Sequence, residues 1–240
     1  MINRHARQII LSQIGTEGQE KLKRSCVAIV GMGALGSVAA ELLCRAGVGR
    51  LKLIDFDILE LDNLQRQALY VTEDVGKPKV DSAKERLGAI DPAVAVETVM
   101  DHLEKRNLSL LDNVDLVVDG TDNMETRFLI NERCSGKRPV IFTSAVMDKG
   151  SVLPVMPGRA CYACVYGRKR NTETCCTHGV LNGATHVAAS IAATEALKAL
   201  FGLPVMDGLF SFSLFDGRFD LLHVRRDPEC GVCARPSRRT

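Results

Sequence analysis

The sequence predicts an α/β fold in which a mostly parallel, Rossmann-like βαβ sheet binds a nucleotide. Strand-length apolar runs alternate with helical stretches up to residue 148, and a glycine-rich turn joins the first run to the first helix. Beyond residue 148 the alternation changes, and an Asp216-Gly217 pair between two apolar runs indicates an antiparallel hairpin. Two Cys-x-x-Cys pairs add a predicted four-cysteine zinc site to this antiparallel C-terminal extension.

The glycine turn follows the first apolar strand, and each of its glycines has a physical task. Gly31 allows the tight turn, Gly33 lets the backbone approach a phosphate, and Gly36 lets helix and strand pack closely, while the helix N-terminus faces the anion. Asp55 ends the second apolar run, 19 residues after Gly36, where an acid can reach a ribose hydroxyl, and Asp57 follows it. The motif does not identify the nucleotide, and a glycine-rich turn that binds nothing is the alternative interpretation.

The remaining elements follow the same alternation. Met1 to Ser12 forms a polar arm, which a frayed terminus would also explain, and residues 15–24 form a short polar helix. Further helices are predicted at 80–90, 103–111, 124–134 and 185–200, and strands at 94–99, 115–119, 140–144 and 150–155. We therefore expect one domain over 1–240, with an N-terminal arm and helix (1–24), a nucleotide-binding half (25–148) and a second half (149–240).

Composition limits the possible partners and the compartment. The 31 Lys and Arg nearly balance the 29 Asp and Glu in the 240 residues, so a net charge of +2 favours neither nucleic acid nor an anionic membrane as partner. No apolar run is long enough to span a bilayer and the N-terminus does not resemble a signal peptide, which predicts a cytoplasmic protein. Nine cysteines, an odd number, indicate thiols and metal ligands more than a disulfide framework.

The two Cys-x-x-Cys pairs predict a structural metal site. Cys161 with Cys164 and Cys230 with Cys233 each place two sulfurs on one turn, and four thiolates form the closed tetrahedral set that Zn²⁺ favours. Four sulfurs leave no coordination position open, so we expect this zinc to be structural and to take no part in chemistry. Four unrelated thiols are the alternative.

Polar side chains beside the glycine turn indicate the use of the nucleotide. They are Asn63, Arg66, Gln67 and Lys79 after the second strand, and Asp122 and Asn123 after the fourth. Two cations, an amide and a carboxylate suit a nucleoside triphosphate with Mg²⁺. The cations neutralise the charge that builds as pyrophosphate leaves, and the carboxylate can hold the metal. Each residue alone could be a solvated loop charge. The five histidines stand in no motif for hydride transfer, but a nicotinamide-dependent oxidoreductase and a non-catalytic zinc scaffold remain alternatives.

Several segments together resemble a known family over nearly the whole chain. GMGALG, LIDFD, DNLQRQ, VGKPKV and DGTDN, with the two Cys-x-x-Cys pairs and an Arg-Gln-Ile-Ile-Leu start, resemble the ThiF/MoeB/HesA family, prokaryotic relatives of ubiquitin-activating enzymes. The resemblance implies that ATP binds at the turn. It also implies that the C-terminal glycine carboxylate of a ubiquitin-like sulfur carrier ending in Gly-Gly attacks the α-phosphate. The products are an acyl adenylate and pyrophosphate, for molybdopterin, thiamine or tRNA thiolation.

The resemblance also implies roles for individual residues. Asp55 binds ribose, Asn63, Arg66 and Lys79 hold the phosphates with Gln67 beside them, Asp122 coordinates Mg²⁺, and Arg7 reaches the triphosphate from the other subunit of a homodimer. No general base is needed, because the attacking carboxylate is already ionised.

A nucleophilic cysteine is a separate prediction. Cys175 matches the position of a cysteine in the family's crossover loop, with Cys176 beside it. Nearby His178 and the basic run 168–170 could lower a thiol pKa, although an idle surface thiol explains the residue as well. We expect the sulfur to come from a separate donor, such as a cysteine desulfurase or a rhodanese.

Overall fold

The computed structural model describes residues 4–167 and 178–234. Its strands are β1 (Cys26–Val30), β2 (Arg50–Ile54), β3 (Ala95–Val99), β4 (Leu116–Asp119), β5 (Val140–Val146), β6 (Lys149–Val155), β7 (Leu209–Ser213) and β8 (Arg218–Leu222). Across the described residues they form one sheet in the order β3-β2-β1-β4-β5-β6-β7-β8. The first five are parallel and the last three are added antiparallel, which confirms the predicted fold class.

Helices cover both faces of this sheet. They are α1 (Ala6–Ile9), α2 (Gly15–Arg24), α3 (Gly36–Ala46), α4 (Lys79–Ile90), α5 (Met124–Cys134), α6 (Tyr162–Tyr166) and α7 (Asn182–Phe201). Helices α3, α4 and α7 contribute to the core on one face, and α5 and α6 contribute on the other. Strand β1 is buried on both faces, with Val27 and Ile29 in the first core and Ala28 and Val30 in the second.

One predicted helix is wrong. Residues 103–111 were expected to be helical, but the chain forms 3-10 turns over Lys105–Leu111. Asn107 interrupts them with a φ of −122°, and its side-chain oxygen accepts a hydrogen bond of 2.8 Å from the backbone N–H of Glu104. An asparagine that bonds to nearby backbone competes with regular helix in this way. The first cysteine pair lies at the start of α6, where Cys161 is the N-cap and Cys164 lies within the helix.

The N-terminal arm packs on the domain. Gln8 donates hydrogen bonds of 2.7 Å to the Gln19 side chain and 2.9 Å to the Ala46 carbonyl. Arg4 bonds to the Ile90 carbonyl and lies 3.6 Å from Asp91. From residue 4 onward, these contacts favour an ordered arm over a frayed terminus.

The long helix α7, which covers the predicted helix 185–200, is a buried packing element. Most of its alanines, including Ala188, Ala192 and Ala196, are buried in the core it shares with α3. Side chains this small let two helices and the sheet approach closely. In residues 4–167 and 178–234, no helix has the length and apolarity needed to cross a bilayer.

The order of the strands creates a cleft between β1 and β4. The chain passes from β1 to β2 and β3 on one side and from β4 to β5 on the other, which makes this pair the switch point where open α/β sheets bind ligands. The turns after the two strands almost touch, because a Cβ on Gly31 would lie 2.9 Å from the carbonyl of Gly120. Gly31 also has a φ of +84°, a conformation that glycine adopts without strain.

Candidate nucleotide site and cysteine cluster

A cavity of about 590 Å³ opens at this switch point, within the size range of small-molecule sites. Eight residues predicted for the site line it: Gly31, Gly33, Asp55, Asp57, Arg66, Lys79, Asp122 and Asn123. They come from the ends of β1, β2 and β4, from the loop between β2 and α4, which carries Arg66, and from the start of α4. The parallel strands therefore bring together side chains that lie up to 92 positions apart in the sequence.

The glycine turn is shaped as its sequence predicts. A Cβ on Gly36 would lie 1.8 Å from the Gly31 oxygen, so only glycine fits there. At Gly33 a Cβ would meet only the Gln67 amide nitrogen, 3.9 Å away, so this side of the turn is open. Among the described residues, the backbone N–H groups of Gly33, Ala34 and Leu35 have no protein acceptor. They form a set of donors at the start of α3 that suits an anion.

Asp55 lies beside the turn as a buried carboxylate. Its two oxygens accept hydrogen bonds from the N–H groups of Met32, at 2.5 Å, and Asp57, at 2.7 Å. Burial raises its pKa above the ordinary value, although the two N–H groups and the charge of Lys79 oppose the rise. A carboxylate has about four acceptor positions, so Asp55 keeps capacity for ribose hydroxyls.

The cations and the second acid lie around the cavity rim. Lys79 is buried and pairs with Asp57 at 2.7 Å, whereas Arg66 donates to the Asp62 carbonyl at 3.0 Å. Asp122 is exposed. Its neighbour Asn123 caps α5 by accepting the Thr126 N–H at 2.9 Å.

Four of the other predicted residues do not line the cavity. Gly36 packs behind the turn, and Asn63 bonds to the Asp62 side chain at 2.7 Å. Gln67 is 3% exposed beside the turn, and its side-chain oxygen has no partner in the described part of the chain. Arg7 is exposed on α1. The Cys175 prediction, with Cys176 and the run 168–170, falls outside the described residues.

Sequence reasoning missed a buried ion pair at the cavity wall. The Arg127 side chain lies 3.2 Å from Asp119, and both are almost fully buried. Arg127 also donates to the carbonyls of Thr121 and Thr143, the latter at 2.7 Å. Burial raises the pKa of Asp119, and the Arg127 charge opposes this rise. Asp119, a charged residue at the end of the apolar strand β4, was the feature of the sequence that could have indicated this pair.

Aromatic side chains that sequence reasoning also missed complete the cavity. Phe56 and His102 line it and stack with an interplanar angle of 21°, and Tyr162 and Tyr166 of α6 line it as well. The rings come from three parts of the chain, and aromatic lining of this kind suits a planar ligand group.

The four predicted metal ligands form one cluster. The sulfur of Cys161 lies 3.9 Å from that of Cys164 and 3.7 Å from that of Cys230, while Cys164 and Cys233 are 3.5 Å apart. Among the described residues, this is the group of side chains able to hold a metal ion. Zn–S bonds of about 2.3 Å place tetrahedral sulfurs about 3.8 Å apart, so the spacing fits zinc and is far too long for disulfides.

A buried amide orients this cluster. The Asn131 side chain donates to the Cys161 sulfur at 3.6 Å and accepts the backbone N–H of Tyr162 at 3.0 Å. Such outer contacts fix the direction of a metal ligand.

Known proteins resemble this chain in sequence and in fold. The model of the ThiF family matches residues 5–232. A sulfur carrier protein adenylyltransferase of Thermus thermophilus is 40% identical over 97% of this chain and 90% of its own length. The molybdopterin-synthase adenylyltransferase of Escherichia coli is 38% identical over 96% and 95%. The crystal structure of E. coli MccB with ATP has a TM-score of 0.86 at 24% identity, covering 97% of this chain and 75% of its own, which supports the fold.

Proposed function

Because this chain belongs to the ThiF family, we propose that the protein is an adenylyltransferase that uses ATP to activate the C-terminal carboxylate of a sulfur-carrier protein. One observation carries the proposal: a single cavity joins the donors of the glycine turn to Lys79 and Arg66. Backbone donors and cations together suit the phosphates of ATP. The sequence relatives named above are adenylyltransferases.

The cavity residues account for the steps of this reaction. Asp55 accepts ribose hydroxyls, and the N–H groups of the turn bind phosphate oxygens. A carboxylate oxygen of the carrier then attacks the α-phosphorus, and the bond to pyrophosphate breaks with its electron pair on the leaving group. Lys79 and Arg66 stabilise the charge that the leaving pyrophosphate gains. No proton moves in this step, so positioning and charge suffice.

Both metals fit the residues present. Asp122, exposed at the rim, offers the oxygen ligand that Mg²⁺ prefers, and Mg²⁺ there would add positive charge beside the phosphates. The four cysteines suit a structural zinc that ties the segment around α6 to residues 230–233.

The family and the exposure of Arg7 support a proposal about the partners. We propose a ubiquitin-like carrier ending in Gly-Gly that binds to the 149–240 half, and a separate sulfur donor. Arg7 is exposed and lies outside the cavity of its own chain, so it is available to the site of a second copy in a homodimer. A covalent role for Cys175 and a cytoplasmic location stay predictions.

ATP–pyrophosphate exchange tests the proposal. Exchange should require a carrier, and Arg66→Ala should reduce it, whereas Arg45→Ala, which removes a surface pair with Glu41 on α3, should not. Background exchange with every carrier of the molybdopterin, thiamine and tRNA-thiolation classes would count against adenylation. Binding of NADH in place of ATP would favour an oxidoreductase, and carrier binding without ATP binding would favour a scaffold. Mass spectrometry of the mixtures distinguishes the adenylate from a Cys175 adduct.

A further inference from the structure

The backbone of Met32, in the middle of the glycine turn, is held on both sides. Its N–H donates to Asp55 at 2.5 Å, and its carbonyl accepts the hydroxyl of Tyr70 at 2.7 Å. Met32 is fully buried and Tyr70 is 4% exposed, so water cannot replace either bond. The two peptide planes that flank Met32 are therefore fixed by two side chains from different segments.

The second of these planes also carries the N–H of Gly33. A trans peptide is planar, so its carbonyl and its N–H point in opposite directions, and the described chain contains no cis peptide. Holding the Met32 carbonyl toward the buried Tyr70 directs the Gly33 N–H away from the core. Gly33 lines the cavity, and its N–H has no acceptor among the described residues.

The Tyr70 hydroxyl is a dependable donor. Burial, with the charges of Asp55 and Asp74, raises the pKa of Tyr70 well above its ordinary value, so the hydroxyl keeps its proton. The backbone N–H of Tyr70 donates to the Gln67 carbonyl at 3.1 Å. Tyr70 therefore also ties the loop that carries Arg66 to the glycine turn.

We propose that Tyr70 is a positioning residue for nucleotide binding, which holds the Met32 carbonyl so that the Gly33 N–H points at the phosphates of ATP. The inference rests on the proposed function, because it takes ATP as the ligand. Tyr70 itself does not line the cavity and acts through the turn.

The test is calorimetric titration of Mg-ATP into the full chain and into Tyr70→Phe, which loses one oxygen and keeps the ring. We expect the dissociation constant to rise about fivefold or more, the scale of one lost buried hydrogen bond. Ser25→Ala is the matched control, because the Ser25 hydroxyl also donates to a backbone carbonyl, that of Lys21 at 2.8 Å, outside the cavity. It should lower the melting temperature and leave ATP affinity unchanged.

Amide exchange in the unsubstituted protein adds a readout that needs no variant. Without nucleotide, the Met32 N–H should exchange slowly and the Gly33 N–H fast, and Mg-ATP should slow the exchange of Gly33. A Gly33 N–H already protected without ATP would overturn the inference. An ATP affinity of Tyr70→Phe within about twofold of wild type would also overturn it, and so would an equal loss of ATP affinity in Ser25→Ala. Either result would leave the proposed function standing. Absence of ATP binding to the unsubstituted protein would overturn both.

Discussion

The Nζ of Lys79 lies 2.7 Å from a carboxylate oxygen of Asp57 at the rim of the cavity. The lysine side chain is 8% exposed and the aspartate 43%, so the ammonium is almost enclosed while its partner still contacts water. Phosphate oxygens that enter the cavity would compete with Asp57 for this ammonium. The pair therefore keeps a buried positive charge balanced until an anionic ligand arrives.

Removal of this charge should impair the reaction more than the fold. In Lys79→Ala we expect the rate of ATP–pyrophosphate exchange to fall about 100-fold, the usual effect of losing one preorganised donor to developing negative charge. Lys84→Ala is the control, since Lys84 is exposed on the same helix and lies outside the cavity lining. Equal rates for the two variants would contradict a phosphate role for Lys79.

Two glycines of the same turn should respond differently to substitution by alanine: one should lose ATP affinity and the other stability. Gly33→Ala meets only the Gln67 amide at 3.9 Å, so the fold should tolerate it, but the added methyl group should weaken ATP binding by crowding the phosphate side. Gly36→Ala forces a methyl group to within 1.8 Å of the Gly31 oxygen and should lower the melting temperature sharply. Thermal unfolding and ATP titration of both variants separate these effects, and a stable Gly36→Ala would refute the packing argument.

The Arg127–Asp119 pair should matter more than a surface pair on the same helix. Arg127→Met removes the cation that faces the buried Asp119 carboxylate. Asp119 then keeps only its hydrogen bonds from Thr121, and the change should cost about 3 kcal/mol or more of unfolding free energy. Arg133→Met breaks the part-exposed pair with Asp112 and should cost less than about 1 kcal/mol. Urea unfolding of both variants measures the difference. Similar losses of unfolding free energy in the two variants would show that burial does not determine how much each ion pair contributes to stability.

Asp74 should stabilise the loop that carries Arg66 at neutral pH and lose this effect in acid. Burial raises the pKa of this fully buried carboxylate, but the Val71 N–H and the Arg86 guanidinium outweigh burial and hold the pKa below its ordinary value. The unfolded chain therefore takes up the proton at a higher pH than the native protein. The stabilisation is complete above about pH 4 and is lost as pH falls through the lowered native pKa.

Asp74→Asn tests this sign. Its unfolding free energy at pH 7 should be lower than that of the unsubstituted protein, and the gap should narrow as pH falls below about 4 and through the lowered native pKa of Asp74. Asp81→Asn, an exposed change on α4, should show little difference at either pH. A gap independent of pH would contradict the lowered pKa.

The cysteine cluster should hold metal in the purified protein. We expect about one zinc per chain by mass spectrometry of metals, and its loss, with a lower melting temperature, in Cys230→Ser. Cys44→Ala removes a buried thiol outside the cluster and should keep the metal. Full zinc content in Cys230→Ser would rule out a shared four-sulfur site.

Much of the site could be predicted because its signals are local. The spacing of Gly31, Gly33 and Gly36 dictates the geometry of a single turn, and each Cys-x-x-Cys pair places two sulfurs on one turn. Predicting the four-cysteine cluster also required that two distant pairs meet in the fold. Zinc binds four thiolates, which was sufficient reason to expect this.

The sequence by itself determined the α/β class, the glycine turn, the family and the two cysteine pairs that form one cluster, because periodicity and motif spacing are properties of consecutive residues. Only the tertiary structure decided that Arg127 neutralises Asp119 and that Tyr70 supports Met32. Each of these pairs joins separate elements, and no local pattern encodes which buried polar groups meet. A buried charge or carbonyl must find a partner, and the packing of the sheet against its helices chooses it.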